Sequence, residues 1–584
     1  MLQRFNLLAA RYQAVLLLVL LGLSVLFAYS NTLNVPFLFD DPASLSAMEW
    51  LYKESSGAVV RYFGEARALG YLSFKLNYDL HGFDVVGFHV VNTAIHVINV
   101  GLVFAFCAVV FGSRRIDESS EDFVFSSGLF FAFVAALVFA LHPLQTQAVT
   151  YTVQRLASLT ALWYLASLLC YFLARRSTRK VSILASILGC VAFAVAAFYT
   201  KQNSVTLPLA ILLVEVILIQ RWRMSLTLAL AAVGAFALLV SAVLVFLPSW
   251  PWLDAVLTET RDFSRLQYFE TQLSVLLVYL KLWVIPVSQQ VEYIYPLADG
   301  VFYDSFGYVA LHLGLLGAAF YAIGRLPWFA FGILFFYLAH TVESGFVPIS
   351  DLVFEHRMYL PMFGLSIAAA GAISRLPRAW GMYVSLALLV VLATLTYQRN
   401  SLWADPVELM SNELRINPNK PRVQSFLGQL YREEGRYEEA AQHFGEAFRI
   451  VGASGSLDNQ AHEQRFAYLN NYIANLRRSG QIQLGIEVAT EYLDEVRSSE
   501  EQWAVTNNLG YLYYDAGDYN QCLMHMLTSI GLTSNRHESF VGAGLCFYYL
   551  DRKEEARMMF INGLALSPEP DSIRATMEQL GLLD

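Results

Sequence analysis

Several features are scarce in this chain. Cysteine occurs five times, at Cys107, Cys170, Cys190, Cys522 and Cys546, with no spacing that matches a metal motif. The first three lie inside apolar runs, where cysteine behaves as a small hydrophobe. Cys522 and Cys546 could pair, but Cys522 occupies a small-residue packing position, so free thiols are expected. A basic excess is lacking too: 39 Lys and Arg stand against 48 Asp and Glu, which argues against a nucleic-acid surface. The N-terminal apolar segment has no small-x-small cleavage pattern and is long, so it is expected to stay as an anchor. After Asn400 apolar runs of membrane length are absent. That region holds 26 acidic and 15 basic residues, against 22 and 24 before Ser401.

What precedes Asn400 is a series of apolar blocks of the length that crosses a hydrocarbon core of about 30 Å. Eleven spans are predicted, over residues 14–30, 86–111, 124–141, 156–174, 181–199, 206–220, 225–247, 305–324, 327–342, 359–374 and 379–397. The segment Thr271–Pro286 is short, carries Lys281 and ends in proline, and is taken as interfacial. Arg4, Arg11, Arg114, Arg115, Arg175, Arg176, Arg179, Lys180, Arg221, Arg223, Arg325, Arg375 and Arg378 then gather on one side. By the positive-inside rule that side is cytoplasmic, and the C-terminal part lies outside. Two outer loops are large, 31–85 and 248–304. Glu49–Phe63 reads as an amphipathic helix along the interface, and Trp250, Trp252 and Trp283 as headgroup anchors.

The C-terminal part carries a repeat. Gly428, Gly510 and Gly544 are each followed after seven residues by a turn position (Gly435, Gly517, Asp551). Twelve residues on stands a small residue (Ala440, Cys522, Ala556), and sixteen on a large one (Phe444, Met526, Phe560). The last two units are 34 residues apart, the tetratricopeptide period, and Tyr472–Arg497 with Gly480 supplies a degenerate copy. About four repeats stacked as an α-solenoid are predicted, with a concave face that can hold a polypeptide. The expected organisation is all-α: a membrane domain over 1–398 and a repeat domain over 399–584.

The outer face collects the unusual polar residues. Asp40 and Asp41 are adjacent carboxylates just beyond the first span, an arrangement that costs solvation and repels itself. His89 and His96 share one helical face, but without further ligands at that depth they are read as packing or hydrogen-bonding groups. His142, before Pro143, is expected to shape its loop. Two carboxylates alone make an incomplete cation site, so a divalent metal is not favoured.

Phe37–Asp41 is followed by Arg67-Ala68-Leu69, Leu72–Tyr78, Gly87–Asn92 with His96 and Asn99, Leu141–Val149, Gln154-Arg155, Lys201–Pro208 and Phe354–Pro361. This ordered set resembles the transmembrane and tetratricopeptide-repeat-containing O-mannosyltransferases and their bacterial relatives, of the GT-C superfamily, over nearly the whole chain. The chain departs from that pattern at Ala68, where relatives often have Pro, and at Gln202, where they often have an acidic residue. The resemblance implies transfer of mannose or another hexose or pentose from a polyprenyl-phosphate carrier to hydroxyls of a protein acceptor outside the cytoplasm. For a bacterial relative the site would be the inner membrane. It implies an essential acidic pair, carried onto Asp40 and Asp41 with Asp41 as base. For the departing phosphate the available donors are Arg67, Arg155, Lys201, His356 and Arg357, with Glu355 and Gln154 in support.

Two other readings remain at this level. One is a GT-C transferase acting on a glycan or lipid acceptor. The other is a membrane-anchored repeat scaffold for envelope protein assembly, which the many spans and the one-sided polar set disfavour. A transporter would place its ionisable groups near the bilayer midplane.

Overall fold

Helix formation along the first 400 residues follows from apolar runs punctuated by proline and short polar turns. The computed structural model describes residues 2–46, 67–111, 127–220, 260, 262–300, 305–453, 459–493 and 495–583. Among these all regular structure is helical. The chain divides into two compact units, Met1–Pro406 and Val407–Asp584.

The first unit contains α1 (Leu2–Ala28), α2 (Asp40–Ser46), α3 (Ala68–His81), α4 (Val85–Phe111), α5 (Ser127–Leu141), α6 (Arg155–Arg176) and α7 (Lys180–Phe198). These are followed by α8 (Leu207–Leu213), α9 (Arg265–Val284), α10 (Phe306–Ala322), α11 (Pro327–His340), α12 (Pro361–Ile373) and α13 (Arg378–Trp403). Its core brings together Phe106, Phe139, Phe331, Phe335 and Phe363 from α4, α5, α11 and α12. Helices α11 and α12 meet at Gly332 and Gly364; a Cβ on Gly332 would stand 2.6 Å from the Gly364 carbonyl. Only glycine permits that approach, the usual means of bringing helices together where lipid removes the hydrophobic drive.

Five helical segments are long and apolar enough to cross a membrane: Val85–Phe111, Thr152–Arg176, Lys180–Phe198, Gln202–Ile219 and Arg378–Trp403. The pair Gly128–Leu141 and Pro143–Val149, bent by 54°, is a sixth if taken together. Among the described residues five segments, or six with the bent pair, meet that length and composition, against the eleven expected. Tyr12–Ala28 is the apolar end of the 27-residue α1, while Phe306–Ala322, Pro327–His340 and Pro361–Ile373 are apolar helices of 13–17 residues. At 1.5 Å per residue, helices of that length reach roughly 20–26 Å, short of a full hydrocarbon core. Hydropathy marks these segments; proline at N1 opens α11 at the expected position 327 but opens α12 two residues late at 361, and α11 stops at His340, two residues short of its expected end. The span expected at 225–247, the helix at Glu49–Phe63, and Trp250 and Trp252 lie outside the described residues. The segment taken as interfacial, Thr271–Pro286, belongs to a 20-residue helix, α9, opened by a capping box at Ser264 and Gln267.

The polar motifs share one local form. Pro143–Gln145, Thr152–Gln154, Gln202–Thr206 and Glu355–Met358 are 3₁₀ turns, and each leads into a helix. Such turns are tighter than an α-helix and stop it from consuming every backbone donor, which leaves side chains and N–H groups available for a site.

The second unit is a set of antiparallel pairs: Pro421–Glu433 with Tyr437–Gly452, Asn459–Arg478 with Ile482–Tyr492, Ser499–Asp515 with Tyr519–Leu532, and His537–Tyr549 with Lys553–Leu566. The glycine-to-large spacing has a direct cause. A Cβ on Gly428 would press on the Phe444 ring at 3.0 Å, one on Gly510 on Met526 at 2.8 Å, and one on Gly544 on the Phe560 ring at 2.9 Å. Gly435, Gly480 and Gly517 take φ near +80° at the turns, and Asp551 adopts φ 59° in the fourth pair. Cys522 and Cys546 are joined as a disulfide with Cα atoms 6.1 Å apart, which corrects the expectation of free thiols. Packing position and bridge coincide, because Cys522 and Cys546 sit on the facing sides of neighbouring repeats.

Candidate functional site

The acidic pair opens the seven-residue helix α2. Immediately before it Phe39 is held at φ 51°, a left-handed conformation unfavourable for an aromatic residue and common where a chain is constrained for function. The two carboxylates have different surroundings. Asp41 is 1% exposed; its Oδ1 accepts the Val153 N–H at 2.7 Å and its Oδ2 the Leu38 N–H at 3.1 Å. Burial pushes its carboxyl up to about 7, against the pull of those backbone donors. Asp40 is half-buried, and its N–H donates to the Tyr151 hydroxyl at 2.8 Å. Burial, reinforced by the Asp41 and Asp40 charges, holds Tyr151 protonated well above its ordinary value. Both Asp41 oxygens are thus engaged by main-chain N–H groups, and Asp40 is the less enclosed of the two carboxylates.

A second group surrounds Glu343. Lys201 Nζ meets Glu343 Oε1 at 2.5 Å, with both side chains about one-tenth exposed. Burial acts to raise the Glu343 carboxyl, but the Lys201 and Arg357 charges outweigh it and hold it below the ordinary range. Arg357 donates through Nη2 to the Asp351 carbonyl at 2.7 Å and through Nη1 to the Leu352 carbonyl at 3.2 Å. Arg67, in a left-handed conformation at φ 75°, donates from Nε to Gln202 Oε1 at 3.2 Å. The position where relatives often carry an acid here holds a neutral acceptor for that arginine. His356 is buried, and burial together with the charges of Lys201, Arg357 and Arg67 keeps its imidazole well below the ordinary value. It is neutral at pH 7 and binds Gln147 Oε1 through its backbone N–H at 2.7 Å. The structure therefore brings Arg67, Lys201, His356 and Arg357 together, with three of the four as cations.

Arg155 is not part of that group. Its guanidinium donates to Asn92 Oδ1 at 2.5 Å, to the Ser73 carbonyl at 3.0 Å and to the Phe88 carbonyl at 3.1 Å. It also lies over the Phe74 ring, 4.5 Å from the centroid. Arg155 is a fully buried brace across α3, α4 and α6. Gln154 stands at the N-cap of α6 without capping it through its side chain. Glu355 faces away from Arg357: it accepts from the Gln290 N–H at 2.7 Å, the Tyr293 hydroxyl at 2.6 Å and Gln289 Nε2 at 2.9 Å. His96 donates from Nε2 to the Ala140 carbonyl at 3.0 Å, leaving Nδ1 for the Tyr359 hydroxyl at 2.7 Å. His142 Nε2 donates to the Trp283 carbonyl while Nδ1 accepts the Leu144 N–H, so it shapes its turn. No group of three metal-ligating side chains occurs among the described residues.

Reading by residue type alone passed over Tyr151, Gln147 and Tyr293. All three are neutral and stand out only once their partners are known. Arg399, at the end of the last span, was passed over as one more terminal arginine.

Residues 421–450 match a tetratricopeptide-repeat profile. The chain is similar to Protein O-mannosyl-transferase Tmtc3 of Drosophila melanogaster, 26% identical over 462 residues covering 66% of this chain and 48% of the relative. It is 32% identical over 171 residues to Protein O-mannosyl-transferase tmtc2 of Xenopus laevis, covering 27% of this chain and 18% of that protein. A third relative, Protein O-mannosyl-transferase F38B6.6 of Caenorhabditis elegans, is 21% identical over 483 residues, covering 74% and 62%. The chain spans about half the length of the Drosophila relative it matches and less of the Xenopus one. With its apolar helices and repeat pairs, the chain is similar to proteins named as protein O-mannosyl-transferases.

Proposed function

We propose that this protein is a membrane glycosyltransferase of the GT-C type. It moves mannose or another hexose or pentose from a polyprenyl-phosphate carrier to hydroxyls of a protein acceptor. The carrying observation is the group around Glu343, where Arg67, Lys201 and Arg357 outnumber the carboxylates of Glu343 and Asp351. Such a group makes a positive potential in a water-poor setting, suited to a departing phosphate. In this reading Asp40 takes the acceptor hydroxyl's proton as that oxygen attacks the anomeric carbon. The bond from that carbon to the carrier phosphate breaks, and the phosphate leaves with the electron pair. Asp41 fixes the segment that presents Asp40.

The repeat unit binds the acceptor or a partner along its concave face. The Cys522–Cys546 bridge supports an extracytoplasmic place for this unit, since disulfides persist in oxidising compartments. The cytoplasmic N-terminus remains part of this proposal, resting on loop charge, and the inner membrane of a bacterium, resting on the resemblance to bacterial relatives.

The test is transfer by the purified full chain in detergent, supplied with polyprenyl-phosphate sugars and an extracytoplasmic protein extract. Turnover lost in Asp40→Asn while the protein stays folded supports the reading. Sugar release from no carrier, by a folded wild type given varied acceptors, would overturn it in favour of a scaffold.

A further inference from the structure

Arg399 and Trp403 lie one turn apart near the end of α13, a helix long and apolar enough to cross a membrane. Arg399 is 8% exposed and Trp403 is 1% exposed. Arg399 Nε and Nη2 and Trp403 Nε1 are buried donors that reach no acceptor among the described residues. Unsatisfied groups of this kind are costly, and a buried guanidinium more so than a neutral donor. Nε and Nη2 form one edge of the guanidinium, the edge that presents two parallel N–H groups to a pair of oxygens.

The surrounding bonds hold this end of α13 in place. Asn400 Nδ2 donates to the Ala28 carbonyl at 2.9 Å, and Thr150 Oγ1 donates to Asn400 Oδ1 at 2.7 Å. Thr396 Oγ1 donates to the Leu141 carbonyl at 2.7 Å. Trp403 packs on Tyr151 with ring centroids 5.5 Å apart, and the Tyr151 hydroxyl is the one that accepts the Asp40 N–H. On the other side Tyr293 lies within charge range of Arg399, and its hydroxyl is given to Glu355. The other buried arginines differ. Arg155 donates through three nitrogens to Asn92 and two carbonyls, and Arg357 donates to main-chain carbonyls.

We propose that Arg399 and Trp403 form a three-donor cradle for the phosphate of the lipid carrier. Arg399 would fork onto two non-bridging oxygens, and Trp403, one turn (about 6 Å of helix rise) further on, would reach back with its Nε1–H to another oxygen of the same phosphate. The inference rests on the carrier-dependent function above. It assigns the direct phosphate contact to Arg399, and leaves the ion-paired Lys201 and backbone-bound Arg357 as sources of potential. The chemistry required is a phosphate oxyanion, and the lipid-linked form is favoured because the cradle belongs to a membrane-crossing helix and lies one aromatic ring from Asp40.

The test is retention of radiolabelled polyprenyl phosphate by the full chain in detergent, with inorganic phosphate as competitor. Expected are at least tenfold weaker retention in Arg399→Gln, a clear loss in Arg399→Lys, which keeps charge but not the fork, and about threefold in Trp403→Phe. Inorganic phosphate should compete only at much higher concentration than the lipid. Should Arg399→Gln fail to fold, Arg399→Lys and Trp403→Phe decide the matter. Retention by folded Arg399→Lys and Trp403→Phe equal to wild type would overturn the cradle, while wild-type transfer would leave the enzyme reading intact. Inorganic phosphate binding that depends on Arg399 while lipid retention does not would overturn the carrier as occupant. Absence of any lipid retention by wild type would instead count against the carrier-dependent function itself.

Discussion

The Asp41 carboxylate joins two distant stretches of main chain, accepting the N–H of Leu38 three residues before it and that of Val153 at 2.7 Å. Asparagine in its place keeps one accepting oxygen and turns an NH₂ group toward a backbone donor. Asp41→Asn is expected to lower the unfolding free energy by about 1–3 kcal/mol, the cost of a buried donor left without its acceptor. Asp40→Asn is expected to leave the melting temperature unchanged and to lower transfer by about 10²–10⁴-fold, the range for loss of a general base. Differential scanning fluorimetry and single-turnover sugar transfer on both variants separate the two roles. Equal losses of stability would refute the division of labour.

The same carboxylate sets a pH dependence. Its folded value, pushed up to about 7, lies above the ordinary aspartate value of 3.8. A raised value means that the folded chain holds the proton more tightly than the unfolded one. The contribution is therefore fully present below pH 4 and lost as pH rises through 7. The melting temperature of wild type should fall between pH 5 and pH 8 by more than that of Asp41→Asn, and parallel pH profiles of the two would show that Asp41 does not titrate in this window.

Lys201 and Glu343 form a buried ion pair whose members depend on each other. Lys201→Met should destabilise by about 3–5 kcal/mol, since it strands a carboxylate, whereas Lys201→Met with Glu343→Leu should recover most of that loss. A thermal unfolding double-mutant cycle reads the coupling directly. Strict additivity of the two single changes would mean the pair is not closed.

In the repeat unit, Gly544→Val should cost about 1–3 kcal/mol, because its Cβ would press on the rigid Phe560 ring at 2.9 Å. Chemical denaturation followed by circular dichroism checks this. Cysteine labelling gives an independent result. Under denaturing, non-reducing conditions Cys107, Cys170 and Cys190 should take alkylating agent, and Cys522 and Cys546 only after reduction.

Some of this was legible in the sequence because it rests on local geometry. The repeats could be placed because Gly428, Gly510 and Gly544 each leave room for a large side chain sixteen positions later, a relation fixed by the helical hairpin itself. Membrane crossings were less legible, since hydropathy records apolar residues but not where a helix breaks, as α11 does after His340 and α12 does before Pro361. Among the cations, position near a span end did not separate Arg155, closed in by three acceptors, from Arg399, whose fork has none. That difference depends on carbonyls at Ser73 and Phe88, which sequence spacing does not reveal.

The Arg155 brace ties three helices into one unit. One guanidinium holds Asn92, the Ser73 carbonyl and the Phe88 carbonyl, so drawing α3 or α4 away from α6 would strand a charge in an apolar interior. Breaking such an interaction costs about 3–5 kcal/mol, enough to keep that seam closed through ordinary thermal motion. In the proposed function, a long-chain carrier would enter along a flank that Arg155 does not stitch, and any breathing of the bundle would fall to helices on the far side of this rivet.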